Sequence, residues 1–446
     1  MFLPIPKDLS LVKETLLKIC KAASRLAIEQ TREGALRRED RHYLRRSFAY
    51  QEGNLSGAQE EITRSIWDPI AVDAIADGVK AQYPKEIQEI VTELSRAGAR
   101  DSATLQGELD IFLRVIAESA EEHESAEDVE QVVDRFLHEV KGGAVCWQGR
   151  IWLDGVRVES DSVQLGDGLV LRSPISADFD QERPANLGFG LEMPPMPRSV
   201  IECERLSRDK PDVRREVNAL SLFRLGAVEI VRERWACDSF FPGKGGVEFP
   251  YRFLMKSPYE YVVTPREQEK LQGFIAAVAH QLPTKPRGQH KEPRWTPLKY
   301  YFKILQATTE PLERLTEAVC CLEASLVKKD EGEISYRLSL RTASLLEFAG
   351  FDSLSVFKDM RSAYSLRSDY VHGNTSKPGK IAGVEQLCFS VANYARLAVL
   401  KLLQFNVEER SGILNDLEES LLSRDLRRQL ESKLCGGLWD LAIQGS

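Results

Sequence analysis

The chain has 446 residues, 43% hydrophobic and 29% charged, with a formal net charge of −8. That length suits two or three domains rather than one core, and the composition is that of folded, soluble protein. An acidic total excludes coating of nucleic acid by bulk charge, so any phosphate contact has to come from a local basic patch.

The eight cysteines include no CxxC pair and the six histidines are scattered. Reduced thiols in a cytoplasmic protein are expected, with no zinc site and no cofactor. No run of about 18 apolar residues exists, which argues against a membrane span and a membrane partner. The opening "MFLPIPKDLSLVKETLL" lacks the basic-then-apolar order of a signal peptide.

Residues 1–140 read as a helical N-terminal region. In "LSLVKETLLKICKAASRLAIEQ", Leu11, Leu16, Ile19, Cys20, Ala23 and Leu26 fall near one helical face. Charge blocks follow, basic from Arg37 to Arg46 ("RREDRHYLRR") and acidic from Glu121 to Gln131. Both read as solvated helix faces.

Residues 141–264 change texture and read as a β-rich domain. Ile151, Leu153, Val156, Val158, Val163, Leu165, Leu169 and Leu171 recur near period two between Gly and Asp turn residues. "PPMPR" (Pro194 to Arg198) marks a loop. "AVEIVRERWA" and "EFPYRFLMK" are strand-like, and "YEYVVT" (Tyr259 to Thr264) reads as the last strand.

Residues 265–298 read as a helix followed by a proline-rich basic linker. Thr264, Pro265 and Glu267 give an N-cap, a first-turn proline and the acid of a capping box, and the helix is expected to reach about Gln281. Pro283, Pro286, Pro293 and Pro297 then forbid a helix. Lys285, Arg287, Lys291, Arg294, Lys299 and Lys303 lie among Trp295, Tyr300 and Tyr301. Cations beside rings suit single-stranded nucleic acid. The alternative is a solvated linker whose aromatics dock on the next domain.

Residues 299–446 read as a helical bundle. One stripe carries Leu312, Leu315, Val319, Leu322 and Leu326, and a second carries Ile334, Leu338 and Leu345 before Gly350. A third aligns Phe357, Arg361, Tyr364 and Ser368 before Gly373. A fourth runs through Val384, Leu387, Val391, Tyr394, Ala398 and Leu402. Residues from Arg410 onward add one or two helices. The fold class is therefore multidomain α+β.

The third helix ends in "LRSDYVHGN" (366–374). In an unbroken helix Arg367 and His372 would lie about 140° apart. Gly373 readily takes the left-handed conformation that stops a helix, so His372 falls at the last turn. There an imidazole can take and return a proton near neutral pH. Asp369, three residues earlier, can orient it, and Arg367 offers a fork of donors to a phosphate. Such a pair fits attack of an RNA 2′-hydroxyl on its own phosphodiester, because the nucleophile belongs to the substrate. The alternative is a surface arginine and a histidine that caps carbonyls.

The succession "RLTEAVCCLEASLV", "EISYRLSLRTASLLEFAG" and "AYSLRSDYVHGN" resembles the HEPN superfamily, and within it the ApeA-like HEPN domains of prokaryotic defence proteins. The resemblance covers roughly residues 300–405. It implies a helical bundle that forms a homodimer, with Arg-x4–6-His motifs of two chains facing one metal-independent RNase site. Arg367 and His372 match that motif. Ser368, Asp369, Tyr370 and Asn374 surround it as supporting residues. Many active members carry Asn, Asp or His directly after the arginine, where this chain has Ser368.

The expected function is a metal-independent HEPN endoribonuclease, a regulated effector in antiviral defence or a toxin-like response. Its partners would be an RNA substrate, a second copy of the chain, and a trigger of phage or nucleic-acid origin. The alternative is a non-catalytic HEPN module for RNA binding or dimerisation. A free ribonuclease would harm its host, so the preceding residues are expected to restrain or trigger the bundle.

Overall fold

A computed structural model describes residues 9–34, 36–51, 54–97, 101–118, 126–179, 181–184, 197–237, 239–240, 247–249, 259–282, 295–306, 310–328, 331–373, 383–435 and 437–442. The chain is α+β: N-terminal helices, a central antiparallel sheet and a C-terminal multi-helix region. First come α1 (Ser10–Arg32), β1 (Arg38–Gln51), β2 (Asn54–Trp67), α2 (Pro69–Gln82), α3 (Pro84–Arg96), α4 (Ser102–Glu118) and α5 (Ala126–Val140). The central part holds β3 (Val145–Asp154), β4 (Val156–Val158), β5 (Ser162–Gly166), β6 (Leu169–Arg172), β7 (Gln181–Pro184), β8 (Ser199–Ser207), α6 (Arg214–Phe223), β9 (Glu229–Cys237), β10 (Val247–Phe249) and β11 (Tyr261–Val263). Then follow α7 (Gln268–Val278), α8 (Trp295–Gln306), α9 (Pro311–Leu326), α10 (Ile334–Glu347), α11 (Ser353–Val371), α12 (Val384–Leu403), α13 (Val407–Glu419), α14 (Arg424–Leu434) and α15 (Leu438–Ala442).

In α1, Leu16, Ile19, Cys20 and Ala23 are fully buried, as their spacing predicts. Leu11 is 70% exposed instead, because Val12 holds the inward position one residue on. Residues 38–67 are not helical. The basic block enters β1, which pairs antiparallel with β2 from Arg38↔Trp67 to Gln51↔Asn54. Alternating charge satisfies a two-sided polar ribbon as well as a helix face. Here cross-strand contacts favour the ribbon: Ser65 Oγ donates to Asp40 at 2.6 Å, and Arg38 lies 4.5 Å from the Trp67 ring centre. β7 then pairs with β1, Tyr43 opposite Pro184.

Among the described residues the main sheet runs in the order β10-β9-β3-β8-β6-β5. All eight apolar residues predicted at period two between Ile151 and Leu171 are buried. Gly149 pairs with Trp235 across β3 and β9, and a Cβ at Gly149 would meet the indole at 2.4 Å. A side chain there would expel Trp235, which is fully buried. Capping at Thr264 is as expected, with the Thr264 N–H and Oγ1 donating to Glu267 at 3.0 and 2.7 Å. α7 follows, and a 3-10 turn extends it to Gln281.

Pro297 lies inside α8 rather than before it. It occupies the first turn, where a missing N–H leaves no helical bond unmade. On α9, Leu315, Val319, Leu322 and Leu326 are each 0% exposed, and burying each contributes about 1.5–3 kcal/mol. On α12 Val384, Val391, Tyr394, Ala398 and Leu402 are buried and Leu387 is half-buried, while on α10 Leu338 and Leu345 are buried and Ile334 is 39% exposed. The inner face of α11 is one residue out of step with expectation. Val356, Met360, Ala363 and Leu366 are buried, whereas Phe357 and Tyr364 are half-buried and Arg361 is exposed. The small Ala363 is what lets the less obvious stripe approach its neighbours.

One continuous apolar core runs from Val145 in the sheet to Ala442 in α15. A separate core joins α1 to α5, and Phe240 enters it from beyond β9. Polar contacts tie the sheet region to the bundle at the carboxyl end of α6. The Leu220 carbonyl accepts from the Tyr261 hydroxyl at 2.9 Å and the Ser221 carbonyl from the Tyr301 hydroxyl at 2.6 Å. One Arg396 Nη donates to the Leu222 and Phe223 carbonyls, each at 2.9 Å. The last four carbonyls of α6, which a helix leaves without backbone partners, thus receive donors from β11, α8 and α12.

Candidate functional site

α11 carries the Arg367–His372 pair. It starts on Asp352, whose carboxylate accepts the Ser355 N–H at 2.8 Å, and stops at His372. The His372 N–H still donates to the Ser368 carbonyl at 3.1 Å, and the Gly373 N–H to the Tyr370 carbonyl at 3.2 Å. Gly373 then turns left-handed, with φ +68°. A Cβ at Gly373 would meet nothing within 4 Å, so only backbone conformation demands glycine there. The predicted helix stop is therefore where the sequence places it, and His372 is the exposed capping residue.

Arg367 and His372 occupy different environments. Arg367 is half-buried against α9, where one Nη lies 3.8 Å from a Glu323 oxygen. Its guanidinium also contacts the Cys320 thiol and stands 5.8 Å from the Tyr364 ring centre. Burial alone would weaken its hold on the proton, but Glu323, Cys320 and Tyr364 outweigh this and raise its pKa. Burial pushes the Glu323 carboxyl above the ordinary range, with Arg367 opposing. The Cys320 thiol is likewise pushed up by burial, again against Arg367. The buried Arg367 Nε has no hydrogen-bond partner among the described residues.

Ser368 and Asp369 are half-buried, while Tyr370 and Val371 are 42% and 53% exposed. Asn374 lies outside the described residues, as do Lys285, Arg287, Lys291 and Arg294. Trp295 is half-buried at the start of α8, and Lys299 is exposed one turn on. Tyr301 is fully buried with its hydroxyl spent on the Ser221 carbonyl, so it docks on the neighbouring region and offers no ring to a base. Tyr300 is half-buried beneath Lys303, whose ammonium lies 5.4 Å from the ring centre and 3.1 Å from Glu317. Among the described residues no group of three or more His, Cys, Asp or Glu is arranged to hold a metal ion. Nor is any of their helices long and apolar enough to cross a membrane.

Sequence reasoning missed Glu323 and Cys320. Both lie in "RLTEAVCCLEASLV", Glu323 on the flank of the apolar stripe of α9 and Cys320 further round. Both are legible as positions outside the stripe, but only tertiary packing shows that they meet Arg367. Comparison with protein-family models, with curated proteins and with solved structures finds no match for this chain.

Proposed function

We propose that this chain is a metal-independent endoribonuclease of the HEPN kind, acting in the cytoplasm as a regulated effector in antiviral defence or a toxin-like response. The observation that carries the reading is the end of α11: an exposed imidazole on the capping residue, an arginine five residues earlier, and a left-handed glycine directly after the imidazole. His372 takes the proton of a ribose 2′-hydroxyl. The 2′-oxygen bonds to phosphorus, the bond from phosphorus to the 5′-oxygen breaks, and the proton held on His372 passes to the leaving 5′-oxygen. Arg367 stabilises the charge on the crowded phosphorane. The products are a 2′,3′-cyclic phosphate and a 5′-hydroxyl, and DNA is resistant.

The helix runs unbroken from Arg367 to His372, so five positions turn their side chains about 140° apart. This supports a composite site at a homodimer of the bundle, in which the arginine of one chain meets the histidine of the other. A second reading is favoured by the Glu323 contact: an arginine already held within its own chain suits a non-catalytic bundle that binds RNA or a partner.

Labelled single-stranded RNA incubated with the whole protein in EDTA separates the two. Cleavage to cyclic phosphate ends is expected, with Arg367→Ala and His372→Ala each losing at least about 100-fold in rate, the lower bound for general acid–base work. Equal RNA binding by all three proteins with no cleavage by any would establish the second reading.

A further inference from the structure

Two of the arginine–carboxylate contacts in the bundle differ in character. Arg341 is 1% exposed and forked onto Glu331, with bonds of 2.6 and 2.8 Å. It also donates to the Leu326 carbonyl at 2.7 Å. Its Nε also lies 2.8 Å from a Glu418 oxygen, so two carboxylates hold this guanidinium. Arg367 comes to 3.8 Å of Glu323, a full ångström longer than the Arg341 bonds. The two side chains are 25% and 23% exposed. A charge-assisted N–H···O bond is normally 2.7–2.9 Å, so Glu323 neutralises this guanidinium without saturating it. Cys320 and the Tyr364 ring meanwhile fix the side chain in place.

Glu323 belongs to a polar row on α9 that also includes Glu317, which holds Lys303 of α8. Cations on both neighbouring helices are thus met by carboxylates from α9. A phosphate reaching Arg367 from solvent would require the same donors that face Glu323.

We propose that Glu323 is a built-in competitor for the substrate phosphate: it occupies Arg367 in the resting chain and has to be displaced before Arg367 clamps the phosphodiester. This rests on the assignment of Arg367 as the phosphate clamp. It adds that the bundle sets its own threshold for RNA. Glu323 here is a positioning residue, acting only through Arg367.

The test is a binding cycle in the whole protein carrying His372→Ala, with a short fluorescent single-stranded RNA at fixed low salt. Glu323→Gln keeps shape and removes charge. It is expected to tighten binding about two- to five-fold, the range a partly exposed ion pair supports. With Arg367→Ala present, the same substitution is expected to change nothing. No tightening by Glu323→Gln overturns the proposal. So does an equal gain in the Arg367→Ala protein, since Glu323 would then merely repel RNA. If Arg367→Ala leaves binding unchanged in both backgrounds, the clamp and the competitor fall together. Absence of cleavage by the unmodified protein, with the Arg367-dependent gain intact, sinks the nuclease and leaves the competitor standing.

Discussion

Tyr301→Phe is the sharpest probe of how the bundle is joined to the sheet. It removes one hydroxyl and no carbon from a fully buried ring. The Ser221 carbonyl, now 2.6 Å from that hydroxyl, is left in an apolar junction at the end of a helix. Stranding a buried acceptor costs about 1–3 kcal/mol. Arg396→Met is less clean. It strands two carbonyls, but it also removes a cation whose pKa burial pulls down to about 10. That depression corresponds to a penalty on the order of 3 kcal/mol for keeping the charge, so the two effects offset and the net loss is expected to be smaller than two carbonyls imply. The assay is urea unfolding followed by amide hydrogen exchange at two places: β3, β8 and β9 for the sheet, and α9 and α12 for the bundle. Tyr301→Phe is expected to lower stability by about 1–3 kcal/mol, with the sheet and bundle signals shifting together. A loss below about 0.5 kcal/mol, or bundle helices melting apart from the sheet, would refute a shared junction.

Acid should weaken the bundle through Glu331. The Arg341 fork, backed by the Lys328 N–H, lowers its carboxyl to about 2. A carboxyl depressed on folding stabilises above its unfolded pKa, near 4.3, and that contribution is lost as pH falls from there through about 2. Stability measured at pH 7 and pH 3 is expected to show the loss, on the order of 2 kcal/mol across the whole window, and Glu331→Gln to remove that part of the acid sensitivity. Phe240→Ala is expected to destabilise the N-terminal core by about 3–5 kcal/mol. Phe240 packs edge-on to Phe112 at 5.5 Å, and the Arg135 guanidinium lies 4.3 Å from its ring centre. Limited proteolysis within residues 9–140 should speed up while the sheet stays protected; unchanged cleavage would refute the anchor. A fragment beginning at residue 299 is expected not to fold, as seen by circular dichroism, because it loses α6, α7 and the sheet that cover Tyr301 and Arg396.

Legibility followed the kind of signal each segment carries. Strands β3 to β6 were readable because one face of each is buried, and burial writes period two into the sequence. Gly350 and Gly373 were readable because a left-handed φ tolerates few other residues; both have it, at +88° and +68°. The β1–β2 hairpin was not, because its charged residues satisfy either period and its pairing lies in contacts between strands. β8 and α6 were passed over for a related reason. "SVIECERLS" mixes inward apolar and outward charged positions over too few residues, and the polar "RREVNALSLF" hides an inner face of Val217, Leu220 and Phe223. At the candidate site, the positions of Arg367 and His372 on α11 followed from local rules. Glu323 did not, because it lies forty-four residues away from Arg367 in the chain and is brought there only by packing of α9 on α11.

That packing also changes how restraint of a nuclease has to be sought. If the bundle were a tethered domain, cutting the chain before it would release it. Instead, the same apolar core passes from Trp147 and Leu171 through Tyr301 into Leu322 and Trp439, and α6 ends on donors from α8 and α12. The sheet region is therefore bonded to α8 and α12, and both pack on α9, the helix that carries Glu323. The helices before residue 141 stand differently. They own a separate core, and Phe240 joins them to the main body, helped by Glu139, which is fully buried and accepts from Ser239 Oγ and the Phe240 N–H. The two cores are thus distinct, and this buried carboxylate and ring are a local contact between them.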